Sequence, residues 1–281
     1  MFNLEVFQLQ TAQEFLNVCS DILYQKEAEY SLMLGLSEIS AKLNKNAGLF
    51  YIVKTDSQIS GIALATSKNI IISDMTNESV LALADQLYFD KVNFPGVVGP
   101  VSVAALFAKT WAGLTENKTH IAMSQKIYKL DKVILPRPVD GQLIVANLTH
   151  QDLITQWVFE FSLESLPHEA NSIDVAREFA VNKIAKGEVF IWLDGFGIPV
   201  SMDATSRPTK NGVTVNAVYT PKTYRKKGYA SALVASTSQL MLNSGKKFCV
   251  LYTDLANPTS NKIYQDIGYN EIATSVNYIF T

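Results

Sequence analysis

The sequence predicts an α/β fold in which helices flank a mixed sheet, organised as two units of similar size that follow one another along the chain. Three observations predict this. Short apolar or alternating segments of strand length are interspersed with longer segments of helical periodicity. In the second half, a hairpin meander leads into a strand–loop–helix–strand crossover. The first half repeats nearly the same order of elements.

A proline-rich segment near the middle of the chain predicts the boundary between the two units. Within Leu130–Gln142, Pro136 and Pro138 disfavour a helix, and Asp140-Gly141 favours a turn. The 281 residues therefore divide into two domains of ordinary size, residues 1–135 and 136–281.

The first half predicts the order α-α-β-β-β-α-(β)-α-β, in which the strand in parentheses has no clear bounds. Apolar residues at helical spacing predict four helices, and apolar or alternating residues predict the strands. The helices are Thr11–Gln25, Glu29–Leu43, Ser79–Phe89 and Val101–Leu114, and the strands are Leu49–Lys54, Ile59–Thr66, Asn69–Asp74 and Ile121–Leu130.

The second half predicts the order β-α-α-β-β-β-α-β-α-β. Thr149 is the expected cap of its first helix, and Asn257, followed by Pro258, is the expected cap of its last. The strands are Gln142–Ala146, Val189–Leu193, Ile198–Ala204, Val213–Tyr219, Phe248–Thr253 and an alternating segment from Ile272 to Phe280. Further helices are predicted from near Asn171 or Ser172 to Gly187 and from about Gly228 to Asn243.

Composition and charge exclude several classes of protein. The chain has 24 Lys and Arg against 26 Asp and Glu, a net charge of −2, so we expect no nucleic-acid partner. Two cysteines are too few for a disulfide framework, and the three histidines are scattered, so we expect no metal site. No apolar stretch reaches the roughly 20 residues of a membrane span. We expect a cytoplasmic protein, either a monomer or a homodimer.

The segment with the clearest chemical pattern joins a strand to a helix. Val213–Tyr219 alternates as a strand, Lys222–Lys227 is a basic loop, and Gly228 opens an amphipathic helix. The first N–H groups of a helix are unpaired and carry the positive end of the helix dipole. Because Gly228 has no Cβ and Ala230 is small, an anion could approach the main chain closely. The pattern predicts a phosphate-binding site, with a solvated basic loop as the alternative.

Two motifs in the second half resemble those of the GNAT N-acetyltransferase superfamily. Arg225-x-x-Gly228-x-Ala230 is similar to the acyl-CoA signature of that family, R/Q-x-x-G-x-G/A. The segment Asn257–Tyr269 is similar to the family pattern N-x-x-x-x-x-x-Y-x-x-x-G-[FY] on the next helix. The order of elements matches too. The resemblance covers about residues 140–281 and implies a GNAT-like fold.

The resemblance implies an N-acyltransferase that moves an acetyl group from acetyl-CoA, its co-substrate, directly to a primary amine. The strand end would contact the pantetheine arm, the loop would wrap the pyrophosphate, and the last helix would hydrogen-bond the arm. The residues implied to bind acyl-CoA are Ala217, Val218, Tyr219, Thr220, Arg225, Lys226, Lys227, Gly228, Tyr229, Ala230, Ser231, Asn257, Ser260 and Tyr264. As catalytic groups, the Val218 N–H would steady the oxyanion and Tyr264 would return a proton to the CoA sulfur.

Several alternatives stay open at this point. Tyr264 could be a core aromatic, since Ile263 and Ile267 lie nearby at helical spacing. The attacking amine needs a base or a water chain, and Asn216, where some relatives place a carboxylate, cannot be that base. Four side chains are candidate bases by residue type alone: Glu164, His168, Glu169 and Asp203.

The acceptor is also open. It is a small-molecule or peptide amine, and polyamines, aminoglycosides, amino acids and protein N-termini all remain. The alternative function is a non-catalytic acyl-CoA-binding regulatory module that kept the phosphate-binding loop and lost the chemistry.

The first half lacks this pattern. Where the phosphate-binding loop should lie, the chain reads Met75-Thr76-Asn77-Glu78-Ser79, with no glycine and no basic residue. Glu78 would repel a pyrophosphate. The first half is therefore predicted to be a degenerate GNAT-like copy that does not bind CoA and supports the catalytic half, which makes the chain a tandem protein.

Overall fold

The computed structural model describes three segments of the chain, which are residues 3–44, 48–165 and 172–281. They form two compact units. The first contains Met1–Ile127, Thr253–Ala256 and Ile272–Thr281, and the second contains Tyr128–Tyr252 and Asn257–Glu271. The predicted division between residues 135 and 136 stays a prediction.

The first unit is a mixed sheet with helices on both faces. Its strands are β1 (Leu4–Leu9), β2 (Leu49–Thr55), β3 (Gln58–Ala65), β4 (Ile70–Ile72), β5 (Gly96–Pro100), most of β6 (Thr119–Leu130) and most of the C-terminal β12 (Asn270–Phe280). They lie in the order β1-β2-β3-β4-β5-β12-β6. From β1 to β12 every pair is antiparallel except β4 with β5. The last strand of the chain thus belongs to the sheet built by the first half.

Alternating side chains of β2 supply both cores of this unit. Phe50 and Ile52 pack with α1 (Ala12–Gln25) and α2 (Ser31–Leu43). Tyr51 and Val53 pack with the other helix pair, α3 (Asn77–Phe89) and α4 (Val101–Thr115). The two sets separate because successive side chains of a strand point to opposite faces of the sheet.

The second unit repeats this layering. Its strands are β7 (Gln142–Val145), β8 (Val189–Leu193), β9 (Pro199–Ser206), β10 (Gly212–Tyr219) and β11 (Phe248–Asp254), preceded by the end of β6 (Thr119–Leu130). Its helices are α5 (Gln151–Ser165), α6 (Ile173–Ala185), α7 (Tyr229–Asn243) and α8 (Pro258–Asp266). The strand order β11-β10-β9-β8-β7 is antiparallel except for β10 with β11.

Each face of this sheet again carries a helix pair. Met202 and Ala204 of β9 pack with α5 and α6, whereas Val213 and Val215 of β10 pack with α7 and α8. The two halves therefore have the repeated order of elements that the sequence predicts.

Two local predictions differ from the structure. Thr149 is not a helix cap, so that prediction is wrong: Asn147 caps a 3₁₀ turn over Leu148–His150 that leads into α5, and its Oδ1 accepts from the Thr149 N–H at 3.0 Å. Strand β1 was not predicted at all. Phe7 lies on the exposed side of β1, 40% exposed, which obscures the alternation that identifies a half-buried strand.

Candidate functional site

A bulge breaks the regular pairing of β10 near its C-terminal end. β10 pairs in parallel with β11 from Gly212 to Thr214, and its register against β9 shifts between Asn216 and Tyr219. Ala217, inside the shift, has a φ of 50°, a conformation that residues other than glycine rarely adopt. This register shift is a bulge in the strand. It leaves main-chain groups at the strand end outside the ladder.

The helix that follows begins without a side-chain cap. Gly228 is the N-cap of α7, with a φ of 84°, and no side chain hydrogen-bonds the helix start there. The N–H groups of Tyr229, Ala230 and Ser231 therefore lack intrahelical partners. A Cβ on Gly228 would lie 2.8 Å from Cγ2 of Val139, so this close approach requires glycine. These observations fit an anion bound by the main chain.

One cavity of about 610 Å³ joins the strand end, the basic loop, the start of α7 and the first turn of α8. Most of the predicted acyl-CoA residues line it: Val218, Tyr219, Thr220, Arg225, Lys226, Gly228, Tyr229, Ala230, Ser231, Asn257 and Ser260. Asn257 also caps α8, as predicted, since its Oδ1 accepts from the Ser260 N–H at 3.1 Å. Further lining residues that the motifs did not indicate are Ser165, Tyr224, Thr259 and Ile263.

Three predicted residues do not line this cavity. Ala217 forms the bulge, and the ammonium of Lys227 lies 5.8 Å from the centre of the Tyr224 ring. The third, Tyr264, is only 8% exposed.

Tyr264 packs in the core between the sheet and α7. Its ring centre lies 6.0 Å from that of Tyr269 and 6.5 Å from that of Tyr128. Burial raises the pKa of Tyr264 above its ordinary value, with a smaller contribution from Asp203, so the hydroxyl stays protonated at neutral pH. The side chain is thus a core aromatic by packing, and its role as an acid stays a prediction.

Arg225 is held by protein groups rather than left free for an anion. Its Nη2 donates to Oε2 of Glu164 at 2.6 Å, and its Nε donates to the carbonyl oxygen of Thr220 at 2.8 Å. The Tyr219 hydroxyl, close to this guanidinium, donates to Glu160 of α5 at 2.7 Å. These bonds fix the strand end and the loop against α5. The main chain and Lys226 are therefore the parts of the loop best placed to meet an anion.

The candidate bases occupy different environments. Glu164 lines the cavity but forms the ion pair with Arg225. Asp203 is 1% exposed, accepts from Oγ1 of Thr237 at 3.0 Å and does not line the cavity; burial raises its pKa to about 8, against the lowering effect of that hydrogen bond. His168 and Glu169 lie outside the described residues.

Two further findings concern the described part of the chain. No group of three or more His, Cys, Asp or Glu side chains there is placed to hold a metal ion. No helix among the described residues combines the length and apolar character needed to cross a membrane.

Comparison with known proteins supports the resemblance. Residues 202–278 match a family model described as FR47-like protein. No curated protein sequence matches the chain.

Solved structures share the fold over almost the whole chain. A GNAT-family acetyltransferase from Colwellia psychrerythraea is 11% identical with a TM-score of 0.57, and the match covers 98% of this chain and 99% of that one. A GCN5-related N-acetyltransferase from Sphaerobacter thermophilus is 10% identical with a TM-score of 0.63, over 97% and 94%. A tandem GNAT protein from the clavulanic acid biosynthesis pathway is 10% identical with a TM-score of 0.56, over 98% of each chain. The predicted GNAT-like tandem fold is confirmed.

Proposed function

We propose that this protein is an acyl-CoA-dependent N-acyltransferase that moves an acetyl group from acetyl-CoA directly to a primary amine. One observation carries the proposal. A bulged strand end with main-chain groups outside the ladder and a helix start without a side-chain cap line the same cavity. The first arrangement suits a thioester carbonyl and the second suits a pyrophosphate. The GNAT fold found over the whole chain agrees with acyl transfer from acyl-CoA.

The cavity residues divide into three binding regions. The N–H groups from Gly228 to Ser231, with Lys226 beside them, hold the pyrophosphate. The end of β10 and the first turn of α8, through Asn257 and Ser260, hold the pantetheine arm. Acetyl-CoA, when bound, supplies an activated thioester. The cavity is roomy enough for these parts of the molecule, at about 610 Å³.

The groups assigned to the transfer step have separate tasks. The Val218 N–H, at the bulge, donates to the carbonyl oxygen as negative charge develops there. The amine nitrogen bonds to the carbonyl carbon, the carbon–sulfur bond breaks, and the protonated Tyr264 hydroxyl supplies the proton to sulfur. The amine gives up its own proton to a base or a water chain. Of the candidate bases among the described residues, Glu164 is the one that lines the cavity.

Calorimetric titration with acetyl-CoA is the first test. Binding is the expected result, and no binding at high micromolar ligand would overturn the proposal. Release of free thiol is then followed across a panel of primary amines. Binding without turnover on any amine would leave the non-catalytic acyl-CoA-binding module in its place.

Tyr264→Phe tests the proposed acid. The variant should lower kcat while acetyl-CoA affinity stays unchanged. Tyr269→Phe is the matched control, since it removes another buried hydroxyl from the same core, one that lies 2.9 Å from Ser238 Oγ. An equal loss of kcat and of affinity in Tyr264→Phe would show a packing role instead.

A further inference from the structure

Arg207 is a partly buried arginine without a carboxylate partner. It directly follows β9 in a left-handed conformation, with a φ of 45°. Its Nε is buried and has no hydrogen-bond partner, and across residues 3–44, 48–165 and 172–281 no carboxylate forms an ion pair with it. Burial lowers the pKa of the guanidinium. Arginine groups removed from water are usually paired with an anion, so the buried, unpartnered Nε of Arg207 points to an anionic ligand.

Three neighbouring side chains also have buried polar atoms without partners among the described residues. They are Oγ of Ser206, Oγ1 of Thr214 and Oδ1 of Asn216. Ser206 and Thr214 are 8% and 1% exposed. Buried polar groups in folded proteins nearly always find a partner, and four neighbouring exceptions point to a bound group. We call Ser206, Arg207, Thr214 and Asn216 the polar strip.

The polar strip lies on the face of the sheet opposite α7. Val213 and Val215 pack into the core beneath α7, so the alternate residues Thr214 and Asn216 point to the other face. Ser206 pairs directly with Thr214 in the antiparallel register and shares that face. Acyl-CoA in the proposed site lies on the α7 side of β10. A ligand on the polar strip would lie on the opposite face of the same strand.

The strand register relates the guanidinium to the proposed reaction centre. Arg207 lies over the ring of Tyr252, with its Cζ 5.9 Å from the ring centre. β10 pairs in parallel with β11 as far as Thr214 and Val250, and Asn216 and Tyr252 each follow two residues further along their strands. Asn216 precedes Val218 by two residues, or about 7 Å along a strand. A ligand on the strip can therefore reach the Val218 N–H with a short spacer.

We propose that the polar strip binds a carboxylate of the acceptor, which makes the acceptor an amino acid or another amine with a carboxylate a few atoms from its nitrogen. The inference rests on the proposed function above and selects among the amine classes left open by the sequence. A guanidinium matches a carboxylate through two parallel N–H···O bonds, and the Ser206 and Thr214 hydroxyls are further donors. The Asn216 Oδ1 can accept from the amine N–H.

Charge separates the acceptor classes. Polyamines and aminoglycosides carry additional positive charges, which Arg207 would repel. An amino acid places its one anionic group on Arg207 and its amine toward Val218. The observed position of an unpaired guanidinium therefore favours the amino-acid class.

Steady-state kinetics with four acceptors test this. Alanine, β-alanine and 4-aminobutyrate vary the spacing between amine and carboxylate, and alaninamide lacks the carboxylate. Wild-type protein should prefer at least one of the three carboxylates over alaninamide. Arg207→Met should lower kcat/KM for the preferred carboxylate about 30-fold and leave both the alaninamide rate and the acetyl-CoA affinity within about twofold. The kcat/KM of Arg207→Lys for the preferred carboxylate should lie between the values of wild type and Arg207→Met.

Lys210→Met is the matched control, because it removes one positive charge from an exposed position three residues away. It should behave as wild type. Equal loss on alaninamide and on the carboxylates in Arg207→Met, or no preference for any carboxylate in the wild type, would overturn the proposal.

A second readout does not depend on turnover. The side-chain Nε–H resonance of Arg207, identified by its loss in Arg207→Met, should shift when alanine is added and stay in place with alaninamide. Absence of that shift with alanine, β-alanine and 4-aminobutyrate would overturn the carboxylate site whatever the kinetics show. If the shift occurs but acetyl-CoA does not bind, the proposed acyltransferase function fails and the carboxylate site stands.

Discussion

Helices α3 and α7 occupy the same place in the repeated order of elements, yet they begin differently. At α3, Oγ1 of Thr76 accepts from the Ser79 N–H at 3.2 Å, and hydrogen bonds to its own backbone N–H and to Thr76 lower the pKa of Glu78. At α7, Gly228 provides no side-chain cap. A helix start that is satisfied by its own side chains has little left for a ligand, whereas an uncapped start presents N–H groups to an anion. Only the start of α7 therefore has the free N–H groups that the proposed acyl-CoA site needs, although both helices belong to the same fold.

The approach to each helix shows the same contrast in charge. Before α3, Asp74 accepts from Nζ of Lys26 at 2.9 Å and from the Tyr30 hydroxyl at 3.1 Å, so a carboxylate already occupies that loop. Before α7, the loop is basic, and Glu164, which lines its cavity, is paired with Arg225. Carboxylates of the first half, Asp74 and Glu78, lie at the start of α3. The loop before α7 has basic residues at the equivalent place.

The largest effect is expected from Gly228→Glu. The substitution puts a side chain on a left-handed residue, 2.8 Å from Val139, and adds a carboxylate at the proposed phosphate site. Acetyl-CoA affinity, measured by calorimetry, should fall at least about 100-fold.

Gly197→Glu is the control for backbone strain. Gly197 has a similar φ of 78°, but open space surrounds the position of its Cβ and it does not line the cavity. The affinity of Gly197→Glu for acetyl-CoA should stay close to that of the wild type. If both variants lose affinity equally, or if Gly228→Glu still binds, the contrast between the two helix starts does not explain binding.

The sequence predicts this contrast well because it is local. The glycine, the basic loop and the cap at Asn257 are visible within a few residues, and so is the acidic Glu78 in the first half. The pairing of Arg225 with Glu164 joins residues 61 positions apart, and nothing in the loop itself indicates it. Tyr264 carries the motif's tyrosine, but its degree of burial depends on how Tyr128 and Tyr269 pack around it.

The polar strip could not be predicted from the sequence, because it also depends on contacts between distant residues. Ser206 and Thr214 become neighbours through the register of β9 against β10, and Arg207 reaches Tyr252 across that register. Each residue alone looks like an ordinary polar residue near a turn. Only the paired strands show that four buried polar atoms lie together without partners among residues 3–44, 48–165 and 172–281.

The second prediction concerns the side-chain contacts between each of these two helices and the sheet below it. Between β9 and α7, the buried Asp203 accepts from Thr237, whereas the side-chain contact between β3 and α3 joins two neutral hydroxyls, Ser60 and Ser79. Burial raises the pKa of Asp203 from 3.8 to about 8, so the folded protein binds a proton that the unfolded chain loses near pH 4. Stability from this group is therefore complete below about pH 4, declines as the pH rises toward about 8, and changes no further above it.

Asp203→Asn removes that titration and should make α7 resemble α3 in this respect. The melting temperature of the variant relative to wild type should increase from pH 5 to pH 8 by about 5 °C. Thermal unfolding across that range measures it. Asp85→Asn, at an exposed position, should show no such trend. A constant difference between variant and wild type across the range would mean that Asp203 is ionised in the folded protein.

The smallest effect is expected at the capped helix, from Thr76→Ala. Loss of the cap should lower the free energy of unfolding by about 1 kcal/mol, measured by urea titration, and leave acetyl-CoA affinity unchanged. Ser172→Ala, which removes the cap of α6, is a matched comparison, since the Ser172 hydroxyl accepts from the Val175 N–H at 3.3 Å. A change in acetyl-CoA affinity in Thr76→Ala alone would break the comparison, because it would mean that the start of α3 also meets the ligand. Unchanged affinity with the expected loss of stability would show that the N-terminal groups of α3 stabilise the fold and do not contact acetyl-CoA.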